Sequence, residues 1–147
     1  MATKTVYKHI LIAADLSEHS DYIAKRALEI AKCVKAKLSI VHVMAHAITP
    51  YAGEFSIPID AELEANLKKE AKKRLTKIGK KYHIAQNAQY LTEGSIKSAV
   101  TQLAKKIKAD LIIVGTHGRE GLELLIGSQA NGILHAAQCD VWVIRIR

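Results

Sequence analysis

Two cysteines, two prolines, one tryptophan and one phenylalanine are all that 147 residues contain of those types. Cys33 and Cys139 have no Cys-x-x-Cys spacing, so neither a zinc site nor a redox pair is expected, and both are read as buried, reduced thiols. No apolar run approaches the ~20 residues of a membrane span. The first residues, Met1-Ala2-Thr3-Lys4-Thr5-Val6-Tyr7, lack the apolar segment of a secretory signal, which gives a cytoplasmic expectation. No composition shift and no internal repeat marks a second domain, so residues 1–147 are taken as one domain. No metal site is expected.

Hydrophobic residues make up 49% of the chain, enough for a real core, and the formal net charge is +8. Such a balance favours anionic partners. Much of the charge is local: Lys68, Lys69, Lys72, Lys73, Arg74, Lys77, Lys80 and Lys81 crowd one segment. No aromatic residue interleaves with them before Tyr82, so a base-stacking platform for nucleic acid is not indicated. A solvated helix face is the plainer reading.

Strands and helices alternate along the chain. Residues 6–14 read as a strand whose run Ile10-Leu11-Ile12-Ala13-Ala14 is apolar throughout, as in a central strand covered on both faces. Asp15 follows, and Ser17 is placed to cap a helix over about 18–35. Leu38 to Val43 is a second strand, with His42 read as a satisfied core histidine. Residues 45–60, with Pro50, Tyr51, Gly53, Phe55 and Pro58, break the pattern; this is the expected longest and most mobile loop. A helix spans about 60–81, capped by Asp60, with Leu63, Leu67, Ala71, Leu75 and Ile78 as its buried stripe. Ala85 to Thr92 is a weaker, more polar strand suited to a sheet edge. Gly94-Ser95 opens a third helix that buries Ile96, Val100, Leu103, Ala104 and Ile107. Leu111 to Val114 is a strand buried on both sides. A fourth helix carries Ile126, Ala130, Ile133, Leu134 and Ala137, and Val141 to Arg147 is the last strand. Five strands and four helices in alternation define an α/β fold with a doubly wound, largely parallel sheet. Strands one and four are the most apolar and belong at the centre. The order 3-2-1-4-5 satisfies this and places a switch point between them.

Four of the eight glycines fall between 115 and 127: Gly115, Gly118, Gly121 and Gly127. They lie between the fourth strand and a helix expected to begin near Ser128. Glycine lets backbone N–H groups approach an anion, and a helix N-terminus adds partial positive charge. A tight strand-to-helix connection is the bland alternative. On the 3-2-1-4-5 order, Asp15 faces this segment across the switch-point crevice.

Several motifs in the same order resemble the universal stress protein family: Lys8 to Ser17, Ile40-Val41-His42-Val43, Glu93-Gly94-Ser95, Ala109 to Arg119, and Cys139 to Arg145. The resemblance covers essentially the whole chain. It implies a Rossmann-like, adenine-nucleotide alpha-hydrolase-like sheet, a cytoplasmic homodimer and a role in stress endurance. Some members of that family bind ATP through Gly, two residues, Gly, nine residues, Gly, then Ser or Thr. Here Gly115 and Gly118 match the first pair and Gly127-Ser128 the last, with eight residues between. Ala13-Ala14 stand where ATP-binding relatives often have Pro-Thr.

The resemblance makes the candidate nucleotide-binding set Ala13, Asp15, Val43, Gly115, Thr116, His117, Gly118, Arg119, Gly121, Gly127, Ser128 and Gln129, with ATP or AMP as cofactor and Mg²⁺ only with ATP. Gly115, Gly118, Gly127 and Ser128 would donate backbone N–H groups to phosphates, and Arg119 would pair with a terminal phosphate. Ala13 and Val43 would touch adenine. Asp15 would accept from ribose or base, or hold Mg²⁺ through water; otherwise it is a turn residue. No partner is assignable to His117, so no catalytic residue is named. The alternatives are a weak ATPase using the same loop and a basic nucleic-acid-binding module, the latter disfavoured. A homodimer is expected through the last strand, where Val141, Trp142, Val143, Ile144 and Arg145 present an apolar edge that two-fold pairing would satisfy.

Overall fold

A computed structural model gives the fold and describes residues 6–44, 61–117 and 128–146. Outside these lie the 45–60 loop with Tyr51 and Phe55, the proposed cap Asp60, Gly118, Arg119, Gly121, Ile126, Gly127 and Arg147. The order is β1 (His9–Ala13), α1 (Ser20–Val34), β2 (Lys37–Met44), α2 (Ala61–Lys81), β3 (Gln89–Glu93), α3 (Ile96–Lys106), β4 (Leu111–His117), α4 (Ser128–Ala136) and β5 (Asp140–Ile146). The five strands form one parallel sheet in the order β3-β2-β1-β4-β5. Strands β1 and β4 are central, as their continuous apolar runs require.

The pleat sends alternate side chains to two cores. Ile10, Ile12, Ile40, Leu111 and Ile113 meet Ile23, Ala24, Ala27 and Ala31 of α1 and Leu75 of α2. Leu11, Val41, Val43, Ile112 and Val114 meet Val100, Leu103 and Ala104 of α3 and Ala130 and Ile133 of α4. Two helices on each face make the sheet doubly wound.

Several boundaries differ from the sequence reading. β1 is shorter than 6–14 because the chain turns away after Ala14, whose N–H still donates to Val41 O at 2.9 Å. Ser17 does not cap α1 directly: its hydroxyl accepts from the His19 N–H at 3.3 Å, and the helix begins one residue after His19. Ala85 is not strand, and Gln86–Ala88 form a 3₁₀ turn, with the Gln89 side chain donating to Ile84 O at 2.9 Å. β4 continues through Gly115, Thr116 and His117 instead of stopping at Val114. In α2, Leu63 and Leu67 are 52% and 54% exposed, so the apolar stripe is buried only from Ala71 onward. Leu134 is also exposed, and so is Cys33, whereas Cys139 is partly buried.

Three helices are followed by a left-handed residue that is not glycine. Lys35, His83 and Lys108 have φ of 56°, 57° and 57° after α1, α2 and α3. The Lys35 N–H returns to the carbonyls of Ala31 and Lys32, closing the helix as glycine usually does. The chain therefore uses few glycines as helix stops.

Candidate functional site

Ala13, the last residue of β1, pairs with Val41 of β2 on one side and Val114 of β4 on the other. Both neighbours continue: β2 through His42, Val43 and Met44, and β4 through Gly115, Thr116 and His117. β3 and β5 accompany them, to Glu93 and Ile146 respectively. The sheet thus has a notch at its carboxyl end, ~10 Å deep from three residues of overhang and ~10 Å wide from two strand spacings. This is the switch point, where open α/β sheets take ligands.

Small residues line its base. Ala13 is partly exposed there, on the same face of the sheet as Val43 and Val114, each 6% exposed. The Ala14 carbonyl accepts from His42 Nδ1 at 2.8 Å. Because a carbonyl only accepts, this bond fixes the proton on Nδ1 of His42. The histidine is satisfied, as expected for a core residue, but it also braces the turn out of β1. Its alternating strand position gave no sign of that partner.

The turn itself is built on Asp15. Its Oδ1 accepts from the Ser17 N–H at 2.9 Å, the Ser17 hydroxyl at 2.7 Å and the Ser20 hydroxyl at 2.9 Å. Three donors on one oxygen make a rigid Asx-type turn and fix the carboxylate. Between Asp15 and Ser17, Leu16 has φ of 58° while its side chain is 8% exposed in the core. A leucine held left-handed costs of order 1–2 kcal/mol, offset here by burial. Asp15 thus has the turn role weighed for it, while its exposed position leaves it at the notch. Ser17 and Ser20 are the residues the sequence reading did not assign to it.

Across the notch, Gly115 has a packing reason to be glycine. A Cβ there would lie 2.9 Å from Ile146 Cδ1 and 3.0 Å from Ile23 Cδ1. Thr116 pairs in register with Arg145, and His117 with Ile146. Ser128 and Gln129 form the exposed first turn of α4. Helix N-terminal N–H groups are unsatisfied within the helix and favour anions. Of the candidate set, the structure thus locates Ala13, Asp15, Val43, Gly115, Thr116, Ser128 and Gln129, and the backbone of His117. Among the described residues, no group of three His, Cys, Asp or Glu side chains gathers to hold a metal ion.

The opposite end of the sheet is closed by side chains. Asp110 accepts from the Lys8 N–H at 2.8 Å and the His9 N–H at 3.0 Å. The His9 ring lies 3.1 Å from Ile107 O through Nδ1 and 2.7 Å from Ser39 Oγ through Nε2. Tyr7 donates to Asp140 Oδ2 at 2.8 Å and stands edge-on to Trp142. That bond, with burial, pushes the Tyr7 hydroxyl above its ordinary pKa. Burial likewise raises the Cys139 thiol, which makes it a poor nucleophile.

The order of strands defines the class of doubly wound, Rossmann-like α/β proteins. Within that class, the chain belongs to the universal stress protein family, whose sequence model matches residues 6–145. Universal stress protein A homolog 1 of Coxiella burnetii is 46% identical over 138 residues, 94% of this chain and 96% of the relative. A protein of the same family from Burkholderia pseudomallei superposes with a TM-score of 0.71 at 25% identity, over 96% of this chain and 98% of its own. A universal stress protein crystallised in complex with cAMP superposes with a TM-score of 0.56 at 25% identity, over 94% and 96%. Among the described residues, no helix is long and apolar enough to cross a membrane.

Proposed function

We propose that this chain is a single-domain, cytoplasmic stress-endurance protein that works by binding, as a homodimer, and holds an adenine nucleotide at the carboxyl-end notch. The observation that carries this reading is the three-residue step between Ala13 and the ends of β2 and β4. Ala13 and Val43 offer an apolar seat for the base. The fixed Asp15 carboxylate accepts from a ribose hydroxyl, and the N-terminus of α4 at Ser128 and Gln129 donates to phosphate. Gly118, Arg119, Gly121 and Gly127 complete the phosphate side by their place in the sequence. The cAMP complex of a family member supports an adenine nucleotide as the ligand class. Asp15, as a single carboxylate, suits Mg²⁺ held chiefly by phosphates and water, which ties the metal to ATP. Binding without chemistry is the proposed activity, with the Asp15 carboxylate held by Ser17 and Ser20 as a fixed acceptor.

Calorimetric titration with ATP and AMP tests this. Wild-type protein binds, and Ala13→Leu, which fills the base of the notch, weakens binding at least about tenfold, or ~1.4 kcal/mol. Equal affinity in a folded Ala13→Leu protein removes the notch as the site.

Dimerisation is proposed through β5. On its α1 side, Trp142, Ile144 and Ile146 line a groove of about 990 Å³ with Tyr22 and Ile30. Trp142 and Tyr22 remain 42% and 47% exposed there, beside His19, Arg26 and Arg145, and a second copy would cover them. Sedimentation of wild type as a dimer and of Val143→Pro as a monomer is the expected pair of results, since proline removes a ladder donor. A monomeric wild type at micromolar concentration contradicts it.

A further inference from the structure

The outer face of α2 is the largest feature the nucleotide reading leaves unused. At 100° per residue, Lys69, Lys73, Lys77 and Lys80 fall within roughly 80° of the helix circumference. Leu63 and Leu67 continue that band, so the lysines and leucines together span roughly 160°. The buried Leu75 and Gly79 lie opposite the lysines, and the two leucines lie on the flank between. These four lysines and two leucines are all exposed.

Neighbouring cations are engaged within the chain. Lys68 pairs with Glu93, Arg74 with Glu70, and Lys81 with Asp21. The four crest lysines enter none of the described ion pairs. Glu62 and Glu70 are the acidic residues on the band, and Glu70 is held by Arg74. The face is therefore cationic toward its carboxyl half and carries two exposed leucines among Glu62, Asn66 and Glu70 toward its amino half.

We infer that this face of α2 docks in the plane of an anionic phospholipid bilayer, with Leu63 and Leu67 entering the headgroup boundary and the lysine crest lying on the lipid phosphates. The two leucines choose between polyanions. A phosphodiester backbone makes no use of apolar side chains on the flank of a basic helix, and the aromatic residues that stack bases are missing from α2. A bilayer uses both halves: apolar area inserts, and each lysine near the surface adds attraction. The binding is peripheral and reversible.

Flotation of the full-length protein with vesicles is the test. One set is pure phosphatidylcholine; the other contains one part in three phosphatidylglycerol. Wild type floats with the anionic vesicles and not with the neutral ones, and salt releases it. Lys69→Gln with Lys73→Gln and Lys77→Gln weakens partition about a hundredfold, from about fivefold per lysine. Leu63→Ser with Leu67→Ser weakens it at every salt concentration, while circular dichroism of both exposed-site variants remains that of wild type. Three results overturn the inference: no flotation with anionic vesicles, equal flotation with neutral ones, or a leucine variant that binds as well as wild type. Tighter binding of a short DNA duplex, unaffected by the leucine changes, overturns it in favour of a nucleic-acid surface.

Discussion

At the amino end of the sheet, the N–H groups of Lys8 and His9 end on the Asp110 carboxylate, and the His9 ring is bonded through both nitrogens. At the carboxyl end, β1 stops three residues short of its neighbours, the chain passes through a left-handed Leu16, and Asp15 is pinned by two serines. The first end joins β1, β2 and the start of β4 through side-chain bonds. The second leaves an opening where β1 stops short. On the proposed function, the same parallel sheet assigns stability to one end and binding to the other.

Breaking the amino end should cost most. Asp110→Ala leaves two backbone donors without their carboxylate, and a loss of ~2 kcal/mol in unfolding free energy is expected by denaturant titration. Nucleotide affinity should stay as in wild type, because the network is a sheet's length from the notch. At the carboxyl end, Gly115→Ala presses on the flexible tips of Ile146 and Ile23 and should cost about 1 kcal/mol. Unlike Asp110→Ala, it should also lower nucleotide affinity, since β4 must shift where it borders the notch.

The smallest effect belongs to neither end. The Lys81 ammonium bonded to Asp21 holds that carboxyl below its ordinary pKa. A carboxylate depressed on folding contributes stability that is complete above its unfolded pKa of about 3.9 and is lost as pH falls through the lower folded value. Wild type and Asp21→Asn should therefore differ slightly in thermal midpoint at neutral pH and converge in strong acid. Both groups are about half exposed, which keeps the difference small.

Much of the sheet was legible because burial on two faces leaves an unbroken apolar run, as in Ile10 to Ile12 and Leu111 to Val114. Those runs put β1 and β4 at the centre, which the order 3-2-1-4-5 satisfies but which does not by itself fix the order of the outer strands. Periodicity names the face of a helix but not where the sheet beneath it ends, so Leu63 and Leu67 looked buried and are not. Gly115 looked like a loop residue because glycine usually marks one; in fact Ile146 and Ile23 need its space within a strand. The helix ends expected near 35 and 81 fall at Val34 and Lys81, although Lys35 and His83, not glycines, follow them in the left-handed region. The partners of Asp15 are two and five residues away and were within reach of a turn argument. Those of Asp110 are about a hundred residues away, and no local pattern reveals them.

The division of labour between the two ends is tested most directly by backbone amide chemical shifts as AMP or ATP is titrated into the folded protein. Shifts should concentrate at Ala13 to Asp15, Val43, Gly115 to His117, and Ser128 to Gln129, while Lys8, His9 and Asp110 stay still. Shifts centred on the amino end, or none at saturating nucleotide, would contradict it.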